Sequence, residues 1–127
     1  MIEVLYEDNH IIAVNKKSGD LVQEDKTGDK PLSESVKDYL RDKYNKPGNV
    51  FCGVIHRLDR PVSGLVLFAK TSKALSRMNE LFRTKSIQKT YWAIVENAPL
   101  KAHGTLEHYL IKNQQKNKSK AYLKLWN

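Results

Sequence analysis

Gly53-Val54-Ile55-His56-Arg57-Leu58-Asp59-Arg60-Pro61-Val62-Ser63-Gly64-Leu65-Val66-Leu67-Phe68-Ala69-Lys70 is the stretch on which the fold turns. Two apolar, β-rich runs, Val50 to Ile55 and Gly64 to Ala69, read as strands, because alternating or continuous apolar residues bounded by Gly and Pro fit a buried ladder. Between them His56 to Ser63 holds Pro61 and a cluster of ionisable side chains, so it reads as a polar loop pinned between buried strands.

Outward from that stretch the other elements follow. Ile2 to Tyr6 and Ile11 to Asn15 are short β-rich runs around the turn-forming Glu7-Asp8-Asn9-His10, which predicts an opening hairpin. Asn15 to Pro31 is polar and carries Gly19 and Gly28, predicting a loop in which only Leu21-Val22 makes a buried contact. Leu32, Val36, Leu40 and Tyr44 recur every four residues, predicting one apolar stripe on a helix that Pro47-Gly48 terminates. Ala74, Leu75, Met78, Leu81 and Phe82 predict a second helix whose apolar face is core, capped by Thr71 or Ser72. Gln88 to Val95 is apolar on both alternating faces, predicting a central strand, and Thr105 to Ile111 and Ala121 to Trp126 predict two more around a polar Lys112 to Lys120 tip. The expected class is α+β, a mixed or antiparallel sheet with two main helices, in a single domain over residues 1–127.

Twenty-two Lys and Arg against fourteen Asp and Glu leave a net charge of +8, a field that attracts RNA, DNA or an anionic membrane. No apolar run approaches the ~20 residues needed to span a bilayer, and Met1-Ile2-Glu3-Val4 does not open as an export signal, so the expectation is a cytoplasmic protein. The single Cys52 excludes an internal disulfide and reads as a small buried hydrophobe. His103 and His108, five apart, point to opposite faces if a strand joins them, which argues against a shared metal; no metal is expected.

The residues best suited to chemistry lie on the loop. Asp59 stands among His56, Arg57 and Arg60, whose positive charge favours a carboxylate anion able to act as nucleophile or base. An exposed Arg–Asp ion pair would show the same pattern. Lys70, Lys73, Arg77, Arg83, Lys85 and Lys89 cluster around the second helix, as a basic track continuous with Arg57 and Arg60 or as a solvated helix face. The Lys112 to Lys120 run offers the same two readings.

His56-Arg57-Leu58-Asp59, followed by Arg60, two residues and Ser63-Gly64, resembles the active-site motif of RluA-type pseudouridine synthases. Leu65 to Thr71 is similar to that family's next strand, Lys89-Thr90-Tyr91-Trp92-Ala93-Ile94-Val95 to its Lys-x-Tyr-x-Ala-x-Val motif, and Val4 to Asp8 with Val14-Asn15-Lys16 to its opening hairpin. Lys17 stands where the family usually has Pro, and Val62 where it usually has Thr. The resemblance implies the pseudouridine synthase catalytic fold and conversion of uridine in structured RNA, ribosomal or transfer, to pseudouridine, without metal or redox cofactor. It implies that Asp59 is the catalytic aspartate, open to two routes: attack on the ribose anomeric carbon or abstraction of a ribose proton. Tyr91 would pack on the target base, and Arg57 would fill the space it leaves. His56, Arg60, Lys70, Lys73, Arg77 and Lys89 are the expected RNA contacts. A family domain continues to a Thr-Gly-Arg-x-His-Gln-type motif whose arginine pairs with the aspartate; residues 1–127 do not contain it, so the expectation is a catalytic domain lacking its C-terminal part.

Overall fold

The computed structural model describes residues 1–124 and divides the chain into two compact units, Met1–Lys89 and Thr90–Asn127. Its class is α+β, with antiparallel sheets and two helices.

In the first unit, β1 (Val4–Glu7) and β2 (Ile11–Lys16) form the expected hairpin. The turn closes on Asp8, whose carboxylate accepts the backbone N–H groups of His10 (2.7 Å) and Ile11 (2.8 Å), an Asx arrangement that replaces ladder bonds. The polar stretch that follows buries Val22 and, at its end, Pro31 before helix α1 (Leu32–Tyr44) begins. On α1 the four-residue spacing puts Leu32, Val36 and Leu40 in the core. Tyr44 is turned out, 45% exposed, and its hydroxyl donates to Glu7 at 2.6 Å. The helix stops at Asn45, not at Pro47-Gly48: Asn45 takes the left-handed conformation (φ 50°) that ends a helix, and Asn tolerates it better than most side chains.

β3 is only Gly53–Val54, much shorter than the expected Val50 to Ile55, while β4 occupies Gly64–Ala69 as expected. The ladder pairs Gly53 with Ala69 and Val54 with Phe68, and stops there for a chemical reason. The next inward donor on β4, the Leu67 N–H, is taken by the His56 side chain at 3.0 Å, so the backbone of residue 55 has no donor to pair with. The sheet order is β1-β2-β4-β3, all antiparallel, with Ile12, Val14, Val66 and Phe68 fully buried.

Helix α2 (Ser72–Arg83) is capped by the Thr71 hydroxyl, which accepts from the Ala74 N–H at 3.1 Å. It meets β3 at Gly53, where a Cβ would lie 3.0 Å from a Leu75 methyl. The expected core face is only partly covered. Ala74 is buried, Leu75, Met78 and Phe82 are half-buried, and Leu81 is 42% exposed.

The second unit holds one hairpin, β5 (Tyr109–Asn113) and β6 (Lys118–Tyr122), paired from Tyr109↔Tyr122 to Asn113↔Lys118. The expected strands thus move inward on the sequence: the Lys112 to Lys120 run is mostly strand, and the turn is confined to residues 114–117, with Asn117 left-handed (φ 51°). Trp126 lies outside the described residues. Gln88 to Val95 is not a strand. A strand exists through ladder bonds to a neighbour, and among the described residues nothing pairs with this segment, so Trp92 and Ile94 are wholly exposed and Tyr91 is 61% exposed.

Candidate active site

The His56–Ser63 loop leaves the sheet between β3 and β4 and alternates in and out. His56 and Leu58 are half-buried, and Leu58 packs on the core; Arg57 and Asp59 are exposed. Gly64 closes the loop at φ +144°, a backbone conformation in which a side chain would be strained, so the turn depends on glycine.

What holds the turn carrying Asp59 in place is Lys16, a hairpin residue to which the sequence reading gave no part in the site. At the end of β2, Lys16 is in phase with Ile12 and Val14, pairs with Gly64 across the ladder, and is 0% exposed. Its Nζ donates to the carbonyl oxygens of Val62 (2.5 Å), Arg60 (2.9 Å) and Lys17 (3.2 Å). Three donors meet three carbonyls, the full capacity of an ammonium group. Burial pushes its proton affinity down; the nearby Asp20 and Asp59 carboxylates oppose that, and the Arg60 cation adds to it. The Asp59 carbonyl accepts the Val62 N–H at 2.9 Å, so the turn carrying the carboxylate is closed on itself and tied below to Lys16. The signal in the sequence was a lysine at an inward position of an apolar strand.

His56 anchors the near side. Its Nε2 accepts the Leu67 N–H, which requires that nitrogen to be unprotonated, and its ring stacks on Phe82 (centroids 5.1 Å, planes 25° apart). Burial, then the Lys89 charge, hold its pKa below the ordinary value. Lys89 places its ammonium 5.3 Å from the Phe82 ring centroid.

The expected basic residues separate into engaged and free groups. Arg60 donates to the Gly19 carbonyl (2.8 Å) and to Asp29 (2.7 Å). Lys70, past the far end of β4 and so about 20 Å of strand from the loop, donates to Glu7 (2.5 Å) and to the Asp8 carbonyl (2.7 Å). Glu7 is a hub that sequence gave no sign of. Burial raises its pKa, but hydrogen bonds from Lys43, Lys70, Tyr44 and Tyr39 outweigh that and bring it down to about 2. Lys73 and Arg77, four residues apart on α2, are exposed. Cys52 is half-buried against the core, and burial pushes its thiol up to about 12, which leaves it a protonated, inert side chain. Tyr91 belongs to the second unit and Asp59 to the first. Two surface grooves, one around Met1, Asn15 and Asp20 and one around Met1, Tyr39 and Asp42, include no residue of the His56–Ser63 loop.

A carboxylate on a rigid, exposed loop between two arginines, in a chain of net charge +8, can act as nucleophile or base on a polyanion. Comparison with known proteins gives the chain a lineage. The family described as RNA pseudouridylate synthase matches residues 10–125. The chain is 36% identical over 120 residues to the ribosomal large subunit pseudouridine synthase C of Buchnera aphidicola, covering 94% of this chain and 36% of that protein. It is 43% identical over 95 residues to the tRNA pseudouridine synthase C of Haemophilus influenzae, covering 75% and 38%. The chain thus spans little more than a third of the length of these relatives. Among solved structures, human RNA Pseudouridylate Synthase Domain Containing 4 superimposes with a TM-score of 0.56 over 66% of this chain and 30% of its own, at 21% identity, a likeness of fold. With a family match spanning almost all of its residues, the chain belongs to the RNA pseudouridylate synthase family.

Proposed function

We propose that the protein isomerises uridine to pseudouridine in structured RNA, with Asp59 as its catalytic carboxylate. The observation that carries this reading is the mounting of Asp59: an exposed carboxylate on a loop fixed from beneath by a buried lysine and at its near end by His56, within a chain of this family. Such mounting pre-organises a reacting group, and a displacement of ~1 Å can cost about 100-fold in rate.

The reaction breaks the bond between uracil N1 and the ribose anomeric carbon, turns the base over, and joins C5 to that carbon. The C5 proton is lost and N1 gains one, so product and substrate are isomers. The target uridine has to leave its stack. Arg57, exposed beside Asp59, fills the space left behind, and Tyr91 packs on the extruded base. Lys73, Arg77 and Lys89 contact phosphates; the engaged Arg60, Lys70 and His56 hold the scaffold. Relatives named for ribosomal RNA and for transfer RNA point to one of these as substrate in a bacterial cytoplasm. No helix among the described residues is long and apolar enough to cross a membrane.

The test is tritium release from C5-labelled uridine in bulk RNA lacking its own modifications, using the full-length protein and its Asp59→Asn variant. Release lost in the variant supports the assignment. Release from neither protein, with RNA affinity kept, favours a binding module that has lost its chemistry.

A further inference from the structure

We propose that Arg60 is a positioning residue, and that its clamp onto Gly19 and Asp29 makes the 17–31 segment a second support that sets the place of Asp59. This rests on the reading of Asp59 as the catalytic carboxylate. The segment has no helix or strand, yet it is knotted. Its middle is tied to the start of α1 by Leu32 N–H to Leu21 C=O (2.7 Å) and Ser33 N–H to Val22 C=O (3.1 Å). Asp25 accepts from the Thr27 N–H and hydroxyl, and the Thr27 hydroxyl in turn accepts the Asp29 N–H, so Asp29 is presented from a fixed turn.

Arg60 grips this segment three times. Its carbonyl accepts the Gly19 N–H (2.8 Å), its Nε donates to the Gly19 carbonyl (2.8 Å), and its guanidinium reaches Asp29 (2.7 Å). Gly19 sits at φ +97°, where a side chain would be strained, so the paired bonds depend on glycine. The same Arg60 carbonyl also accepts from Lys16. The residue next to Asp59 is therefore held at its backbone and at its side-chain tip. An arginine meant for RNA phosphate gains nothing from a carboxylate already on its guanidinium, and an ion pair this exposed adds little to stability, so the contact that remains to be explained is geometric.

The two roles for Arg60 predict opposite results in Asp29→Asn. For a positioning clamp, Asp29→Asn and Arg60→Gln in the full-length protein each lower kcat about tenfold, with KM for RNA within about twofold. The charge-swapped pair Asp29→Arg with Arg60→Asp, which remakes the ion pair but not the Nε–Gly19 bond, recovers part of kcat. For a phosphate contact, Asp29→Asn frees the guanidinium and lowers KM, while Arg60→Gln raises KM with kcat intact; that pattern overturns the proposal. Hydrogen exchange at the Gly19 amide gives a readout without catalysis: faster exchange in Asp29→Asn supports the clamp, and an unchanged rate overturns it. If Asp59→Asn keeps tritium release, the site assignment falls and the positioning role falls with it. If release depends on Asp59 but kcat is unmoved in both Arg60 and Asp29 variants, only the clamp is refuted.

Discussion

Lys16 concentrates the logic of the site in one side chain. A buried ammonium is costly unless its donors are all matched, and here three carbonyls match them. Lys16→Met keeps the apolar stem and strands those acceptors, so we expect roughly 2 kcal/mol lost in urea unfolding and turnover down by about 100-fold, since the Asp59 loop loses its floor. His56 makes a pH prediction. Its folded pKa lies below the unfolded value of about 6.5, so as pH falls below 6.5 the unfolded chain takes up the proton first and stability declines until the folded imidazole also protonates. The urea midpoint should drop between pH 7 and pH 5, and drop less in His56→Gln, whose amide oxygen can still accept from Leu67. At this scale the sequence was informative about what is exposed, since Arg57 and Asp59 lie out on the loop. It was silent on His56 as an acceptor, and it marked Lys16 only as an inward lysine without naming its partners, because these roles depend on residues 11 and 46 positions away.

Among the elements, the Glu7 hub joins β1, α1 and the residue that follows β4. Lys43 and Lys70 pair with a carboxylate whose side chain is 7% exposed, and Tyr39 and Tyr44 donate to it as well. Because its pKa is lowered to about 2, its contribution is complete above the unfolded value of about 4.3 and disappears as pH falls through 2; acid titration of unfolding free energy should show roughly 2 to 3 kcal/mol lost between pH 5 and 2, largely absent in Glu7→Gln. The end of α1 offers a separate check: Asn45→Gly should be neutral or stabilising and Asn45→Ala destabilising by about 1 kcal/mol in thermal melts. Periodicity found β2, α1, β4 and α2 because each has its own apolar repeat. It misplaced β3, β5, β6 and the 88–95 segment because a strand's limits are set by what its neighbour's N–H and C=O groups are doing; at β3, His56 intercepts one of them.

For the whole molecule, the +8 charge becomes a question of which cations are free. Arg60 and Lys70 are engaged with carboxylates, whereas Lys73 and Arg77 project together from α2. Neutralising both as Lys73→Ala with Arg77→Ala should reduce the slope of log affinity against log salt by roughly 1.5 to 2, measured by fluorescence anisotropy with a structured RNA, while Lys70→Ala leaves the slope unchanged and costs stability instead.

The central claim is that Asp59 performs chemistry and does not merely bind. Its most direct test is single-turnover tritium release by the full-length protein and Asp59→Asn, with RNA affinity measured on the same samples. We predict that the variant binds RNA within about threefold of the parent and releases no label above background; Asp59→Asn releasing label at the parent's rate would contradict the account.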